Sequence, residues 1–177
     1  MNPPQVWETD RLRLRRPMMT DAEEIFRQYA RDPEVTKYLT WRPNREVEET
    51  RAFLRACLVA WEEGKSFQWA IVRKEDDRFL GMIALRVDGH KLEMGYVLAK
   101  SHWGKGYMTE AVTALIDWAL KQEEIYRVWA VCDVENRASA RVLEKAGMKC
   151  EGILRRWTVH PTRSEEPRDS YCYSITR

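Results

Sequence analysis

The residues best suited to bind a ligand form the short segment Trp103-Gly104-Lys105-Gly106-Tyr107. It follows an apolar, strand-like run, Leu92 to Ala99, and precedes a segment whose apolar residues recur on one helical face: Met108, Val112, Leu115, Ile116 and Ala119. A helix that begins at such a turn has free backbone N–H groups, the glycines let a ligand approach them, and Lys105 adds positive charge. These features predict a pyrophosphate site. A tight turn that needs glycines only for its shape is the alternative.

The same segment does not match the common nucleotide-binding signatures. No Ser or Thr follows its Gly-Lys pair, as a P-loop requires, and its spacing is not that of the G-x-G-x-x-G fingerprint. Nucleic acid is also a poor candidate partner, because 30 basic and 28 acidic residues give a net charge of only +2. An anionic ligand must therefore be bound by a local patch.

Length and composition predict one globular domain over residues 1–177, with 44% hydrophobic and 33% charged residues. Four widely spaced cysteines indicate neither a zinc site nor a disulfide framework and favour reduced thiols: Cys57, Cys132, Cys150 and Cys172. The three histidines are isolated from one another, so we predict no metal site and expect them at the surface: His90, His102 and His160. The chain shows no signal-like or membrane-spanning apolar run, so we expect a cytoplasmic protein without a membrane partner.

Apolar periodicity predicts the elements of the first third of the chain. Strict alternation over Arg11–Arg15 predicts a first strand with Leu12 and Leu14 turned inward. A capping box at Thr20–Glu23 is expected to open a helix that ends near Ala30. A second helix is predicted over about Val47–Glu63. Its expected buried face consists of Val47, Phe53, Leu54, Leu58 and Trp61.

The remaining elements are mostly strands. Five runs have strand character: Phe67–Val72, Phe79–Val87, Tyr126–Val131, Met148–Val159 and Ser170–Thr176. The Asp88-Gly89 pair predicts a hairpin into the Leu92 strand. Because a helix connects the Leu92 and Tyr126 strands, we expect these two to be parallel. Asn136 is predicted to cap a short helix that ends at Gly147.

Three segments together resemble the GNAT superfamily of N-acetyltransferases, and most closely its ribosomal-protein N-terminal (Rim-type) branch. They are EMGYVL at 93–98, WGKGYMTEA at 103–111 and NRASARVLEKAGM at 136–148, and almost the whole chain can be laid on the family pattern. The resemblance implies a mixed α+β fold with a mostly antiparallel central sheet of about six to seven strands and about four helices. Its central pair of parallel strands is splayed to hold coenzyme A (CoA).

The resemblance also implies where the cosubstrate acetyl-CoA binds. The pantetheine arm is expected to pair with the first parallel strand at Gly95, Tyr96 and Val97, where Gly95 is a candidate for the bulge that separates the strands. The pyrophosphate loop corresponds to Trp103, Gly104, Lys105, Gly106, Tyr107, Met108 and Thr109. Trp103 and Met108 depart from the usual polar and small residues of that loop, so binding is expected to rest on backbone N–H groups. Asn136 and Ser139 are the expected cofactor contacts on the following helix.

The catalytic groups that some family members use are not found at the matching positions. Val131 stands where a Glu base is expected on the second parallel strand, and Leu143 stands where a Tyr acid is expected seven residues after Asn136. Glu93 is the replacement candidate for the base, with an exposed strand carboxylate as the alternative. The Rim branch suggests Ser139 as a partner of the sulfur or pantetheine, although a solvated helix serine fits equally. Ser139 is not expected to be a nucleophile, because no His-Asp partnership is visible.

The resulting prediction is an acetyl-CoA-dependent N-acetyltransferase that uses no metal and works by direct attack in a ternary complex. Its acceptor is expected to be a protein N-terminal α-amine or a small primary amine, with a catalytically silent acyl-CoA-binding module as the alternative. The Tyr38–Pro43 and Pro161–Pro167 loops are expected to line the acceptor side. Their residues identify no particular acceptor, and the chain is predicted to be a monomer or a homodimer.

Overall fold

Eight strands form a single sheet in the computed structural model, which describes residues 1–177. They are β1 (Val6–Glu8), β2 (Leu12–Arg15), β3 (Ser66–Arg73), β4 (Phe79–Asp88), β5 (Lys91–Leu98), β6 (Arg127–Asp133), β7 (Lys149–Thr158) and β8 (Arg168–Thr176). Their order across the sheet is β1-β2-β3-β4-β5-β6-β8-β7, and β5 and β6 are its one parallel pair. The predicted mixed architecture is confirmed. The expected strand number was too low, because β1 has only three residues and is too short to show a period.

Five helices flank this sheet. They are α1 (Ala22–Ile25), α2 (Pro33–Thr36), α3 (Val47–Glu62), α4 (Tyr107–Ala119) and α5 (Arg137–Lys145). A 3₁₀ turn at Met19–Asp21 precedes α1, and a π-helical turn at Phe26–Ala30 extends it. The capping box predicted at Thr20–Glu23 is wrong: the Asp21 carboxylate accepts the Met18 backbone N–H at 2.8 Å, so the helical segment begins earlier.

Apolar packing confirms most of the predicted faces. Leu12 and Leu14 of β2 are fully buried, and so is the predicted stripe of α4. The predicted burial of Phe53 is wrong, because its side chain is 46% exposed. The buried stripe of α3 consists of Thr50, Leu54, Cys57 and Trp61 at spacings of four, three and four, which leaves Phe53 on the flank. No helix of the protein is long and apolar enough to span a bilayer.

The parallel strands β5 and β6 pair only at their beginnings. Lys91, Leu92 and Glu93 lie opposite Arg127, Val128 and Trp129 in that order. Beyond these pairs, β5 stays paired with β4 as far as Leu98, and β6 stays paired with β8 as far as Asp133. A slot therefore opens between β5 and β6. The bulge predicted at Gly95 is wrong, since the β4–β5 register runs through Gly95 without a shift and the strands part because each follows its other neighbour.

Candidate active site

The Gly-Lys-Gly segment forms the turn between β5 and α4 at the wide end of this slot. Gly104 and Gly106 have φ angles of 74° and 79°, a left-handed conformation in which glycine is favoured. Gly106 directly precedes the first residue of α4, so the N–H groups of the first helical turn lie beside this turn. The exposed Lys105 adds charge, and its ammonium group donates to the Ser101 carbonyl at 3.0 Å. The turn thus has the backbone shape and the charge that a pyrophosphate requires.

The other residues predicted for this loop occupy different environments. The Trp103 indole N–H donates to the Leu98 carbonyl at 2.8 Å and anchors the turn to the end of β5. Tyr107 and Met108 are buried in the core, and Thr109 is half-buried. Because the Met108 side chain is buried, only its backbone N–H in the first turn of α4 is open to a phosphate.

The connection between β1 and β2 fixes the loop from outside. The Arg11 guanidinium lies over the Tyr107 ring at 4.6 Å, donates to the Lys105 carbonyl at 3.0 Å and pairs with Glu110 at 2.7 Å. Thr9 donates to the same Glu110 carboxylate at 2.5 Å. Burial raises the pKa of Glu110, but the hydrogen bonds from Thr9 and Arg11 outweigh it and hold that pKa below its usual value. Sequence reasoning missed this contact, because 99 positions separate Arg11 from Glu110.

The slot itself suits an extended, amide-containing arm. From Met94 to Leu98, β5 has β4 on one side and no strand on the other, so the edge at Gly95, Tyr96 and Val97 is free of strand partners. Across the slot, Asn136 caps α5 by accepting the Ser139 N–H at 3.2 Å, as predicted. The Tyr96 hydroxyl reaches over to Ser139 Oγ at 2.8 Å. The structure thus gathers the residues predicted to hold the cosubstrate around one opening.

The two candidate catalytic residues lie on opposite faces of the sheet. Leu92 and Met94 of β5 face the core under α4, so Glu93 between them projects to the other face. There its carboxylate lies 3.3 Å from the Arg86 guanidinium on β4. Ser139 lies in the first turn of α5, which packs on the α4 side of the sheet. A group acting on the amine and a group acting on the sulfur can therefore approach one thioester from two sides.

The positions of the missing family residues are apolar in three dimensions as well. Leu143 is fully buried in the main core, and Val131 is a half-buried strand residue. Neither side chain can transfer a proton. The hydroxyl groups of Tyr96 and Ser139 meet across the slot instead.

The two loops predicted to line the acceptor side pack against each other. Arg42 donates to the Pro161 carbonyl at 2.8 Å and pairs with Glu165 at 3.0 Å. Arg163 donates to the Tyr38 hydroxyl at 2.9 Å. The loops thus form one wall on the face of the sheet to which Glu93 also projects.

Beneath this wall lies a buried charged cluster that sequence reasoning missed. Asp133, at the end of β6, accepts from Arg168 Nε at 2.5 Å, and His160 Nε2 lies 3.7 Å away. The expectation of surface histidines is wrong for His160 and His102, both 3% exposed. Burial lowers the pKa of both imidazoles. An isolated His in a sequence carries no signal that distinguishes a buried ring from an exposed one.

A glycine turn at a helix N-terminus that leads into a slot between splayed parallel strands is the arrangement expected of a protein that holds a CoA thioester beside an acceptor. The Acetyltransferase (GNAT) domain family matches residues 11–149, and the chain belongs to that family. It is an acetyl-CoA-dependent N-acetyltransferase.

Known relatives agree with this assignment. The uncharacterized N-acetyltransferase p20 of Bacillus licheniformis is 34% identical over 83% of this chain and 84% of its own length. The ribosomal protein uS5-alanine N-acetyltransferase of Escherichia coli is 27% identical over 83% of this chain and 79% of its own. The crystal structure of a GNAT-family acetyltransferase from Bacillus anthracis is 28% identical, with a TM-score of 0.84 over 97% of this chain and 98% of that one.

Proposed function

We propose that the acceptor is a primary amine, either the α-amine of a protein N-terminus or a small amine, and that it attacks acetyl-CoA directly in a ternary complex. The observation that carries the proposal is the position of Glu93. It occupies the last paired position before β5 and β6 part, on the face of the sheet that the two loops border. A carboxylate there would stand beside a thioester held in the slot, on the side from which an amine can enter.

The chemistry of an α-amine fits this modest machinery. An α-amine has a pKa of about 8, so a substantial fraction of it is neutral at physiological pH. A single carboxylate, acting directly or through water, is therefore a sufficient base. A lysine side chain, with a pKa of about 10.4, would need stronger activation. Relatedness to an enzyme named a ribosomal protein uS5-alanine N-acetyltransferase supports a protein amine as the acceptor.

Direct attack is favoured over an acyl-enzyme intermediate. Ser139 Oγ is hydrogen-bonded to the Tyr96 hydroxyl and not to a histidine, so it has no general base that would make it a nucleophile. Acetyl transfer then needs only the amine, the thioester and groups that stabilise the developing charges.

The test is a thiol-release assay with acetyl-CoA and a panel of acceptors: peptides beginning with Ala, Ser or Met, free amino acids and simple polyamines. Wild-type protein should release thiol fastest with one class of α-amine. Tight CoA binding with no turnover on any amine would favour the silent binding module. Such a result would contradict the proposed acceptor without affecting the family assignment.

Replacing Glu93 with Gln tests the base. Because general-base catalysis typically contributes about 10²–10⁴-fold, Glu93→Gln should lower kcat strongly near neutral pH and recover toward high pH, where the amine arrives neutral. Arg86→Gln is the matched control: it removes the partner of Glu93 and keeps the carboxylate. Should Glu93→Gln retain full kcat from pH 6 to 9, Glu93 is not the base.

A further inference from the structure

Two hydroxyl groups meet across the opening between β5 and β6. The Tyr96 hydroxyl lies 2.8 Å from Ser139 Oγ and 3.3 Å from the Ser139 carbonyl oxygen. Tyr96 belongs to β5 and Ser139 to the first turn of α5, so these contacts join the two sides of the slot. Nothing in the resemblance to other acetyltransferases assigned a function to the Tyr96 hydroxyl, since only the strand edge at Tyr96 was expected to contact the cosubstrate.

Either oxygen can be the donor in the Tyr96–Ser139 hydrogen bond. Burial raises the pKa of Tyr96 well above its usual value, so the phenol keeps its proton throughout the physiological range and can donate it to Ser139 Oγ. A serine hydroxyl has one proton to donate and two lone pairs that accept. When the phenol donates to Ser139 Oγ, the proton of Ser139 is therefore free for a second acceptor.

A third group, the Cys132 thiol of β6, shares this space. Burial raises the pKa of Cys132 to about 11, against a smaller opposing effect of the Ser139 hydroxyl. The thiol is therefore neutral at physiological pH. No anion in this cluster competes for the free proton of Ser139, which leaves it available to a bound ligand.

Acetyl transfer creates the need for such a donor. As the amine nitrogen forms its bond to the carbonyl carbon and gives up one proton to a base or to water, the C–S bond breaks and its electron pair moves to sulfur. Leu143 cannot donate to that sulfur, because it is an apolar residue within the core. The Tyr96–Ser139 pair is at the slot and has a proton to donate.

We propose that Tyr96 is a positioning residue for the sulfur end of the cosubstrate: its phenol orients Ser139, whose hydroxyl donates a hydrogen bond to the departing thiolate. This inference deepens the assigned acetyl transfer and does not depend on which amine is the acceptor. Two donors in series also polarise each other, which strengthens the final hydrogen bond.

The proton remains on oxygen during this step. A thiol has a pKa of about 8.5, whereas the phenol and the serine hydroxyl hold their protons far more tightly. Transferring a proton to sulfur would leave an alkoxide or a phenolate at a half-buried position, which is costly. The pair therefore stabilises the thiolate by hydrogen bonding, and the thiolate takes its proton from water after it leaves.

Binding measurements test the proposal without any acceptor. CoA is compared by calorimetry with desulfo-CoA, which lacks only the sulfur, at pH 7 and about one unit above the thiol pKa of about 8.5. If the pair stabilises a thiolate, the preference of wild-type protein for CoA over desulfo-CoA should grow by about tenfold at the higher pH. Tyr96→Phe and Ser139→Ala should abolish that growth.

Tyr173 provides a matched control. Its hydroxyl donates to Glu144 of the same helix, also at 2.8 Å, but from β8. Tyr173→Phe removes an equivalent anchor of α5 and should keep the pH-dependent preference for CoA. The proposal is overturned if wild-type protein shows no such preference, if Tyr96→Phe retains it, or if Tyr173→Phe loses it equally.

Kinetics with an N-terminal-alanine peptide add a second readout. One neutral hydrogen bond is worth about 1 kcal/mol, so Tyr96→Phe should lower kcat by about five- to tenfold and leave the KM for acetyl-CoA nearly unchanged. The double variant Tyr96→Phe/Ser139→Ala should be no slower than Ser139→Ala, and Ser139→Thr should restore activity. If the fold-losses of kcat in the two single variants multiply in the double variant, Tyr96 acts independently of Ser139. Should no peptide be acetylated, the proposed acceptor fails and the binding measurements still decide this proposal.

Discussion

The sheet consists of two parts that differ in the side chains on their faces. In the β1–β5 part, an apolar cluster packs on each face: Leu14, Trp69 and Leu85 belong to one, and Ala70 and Met82 to the other. In the β6-β8-β7 part, one face joins the same core, but the other carries charged and hydroxyl groups. Among these, Glu151 accepts from Arg127 and Ser174, each at 2.7 Å.

The difference explains why a slot, the proposed cosubstrate site, lies between the two parts. Only three residue pairs of β5 and β6 join the two parts, although each part is continuous within itself. A parallel strand pair is normally buried on both faces and paired along its length. Here the pairing ends after Glu93, so the backbone of β5 that would have bonded to β6 is available to a ligand. Each part can be perturbed separately, which gives the following predictions in order of decreasing effect.

The largest expected effect is in the polar part, at the buried ion pair of Asp133 and Arg168. Arg168→Met leaves a fully buried carboxylate without its guanidinium and should destabilise the fold by about 3 kcal/mol. Arg127→Met is the control, because its partner Glu151 is solvent-exposed and such pairs contribute about 0–1 kcal/mol. Urea unfolding measures both. Equal losses of unfolding free energy in the two variants would mean that burial does not distinguish the Asp133–Arg168 pair from the Arg127–Glu151 pair.

A second prediction addresses close packing in the apolar part. A Cβ on Gly81 of β4 would lie 2.2 Å from the Val97 carbonyl oxygen of β5, so the backbone must move. Gly81→Ala should therefore cost about 2 kcal/mol of unfolding free energy. Gly95→Ala, on the neighbouring strand, meets no atom within 4 Å and should change that energy by less than about 0.5 kcal/mol. A midpoint shift for Gly95→Ala as large as that for Gly81→Ala would refute this packing account.

The third prediction separates the ligand site from mere backbone strain. Gly106→Val places a β-branched side chain at a φ of 79°, with its Cβ 3.4 Å from Arg11 Nη2. We expect the KM for acetyl-CoA to rise at least about tenfold, or about 1.4 kcal/mol, far more than in Glu93→Gln. Gly89→Val imposes similar strain at a φ of 58° in the β4–β5 hairpin and should leave KM unchanged. Normal acetyl-CoA binding by a folded Gly106→Val protein would exclude the phosphate assignment.

The smallest expected effect is a pH dependence of stability from His160. Burial holds the pKa of His160 below the unfolded value of about 6.5, while Asp133 partly opposes this and Arg163 and Arg168 reinforce it. The unfolded chain therefore binds the proton first, so stability is fully present above about pH 6.5 and declines as the pH falls below it. Thermal unfolding between pH 7.5 and 5 should show a shallower decline for His160→Gln than for wild type. The exposed His90, replaced in the same way, should leave the slope unaltered.

Much of the site could be predicted from the sequence because its chemistry is local. The Gly-Lys-Gly turn, the apolar stripe of α4 and the Asn136 cap depend on residues within one or two helical turns of each other. These short-range rules predicted the glycine turn at Gly106 and the helix that follows it, and the structure confirms both. The parallel direction of β5 and β6 also followed from a connection rule, because a helix joins these two strands.

Other features were decided only by the tertiary structure, because they join residues that are distant in the chain. The Tyr96–Ser139 contact spans 43 positions, and Arg11 reaches Glu110 over 99. Burial of His160 depends on the Tyr38–Pro43 loop folding over it, where the Leu39 carbonyl contacts the imidazole at 3.3 Å. The sequence by itself specified the loop, the helices α3, α4 and α5, and every strand except β1. The positions of the Tyr96 hydroxyl, the Arg11 guanidinium and the His160 imidazole depend on how the sheet brings distant strands and loops together. Contacts between side chains of different elements leave no periodic pattern in the sequence.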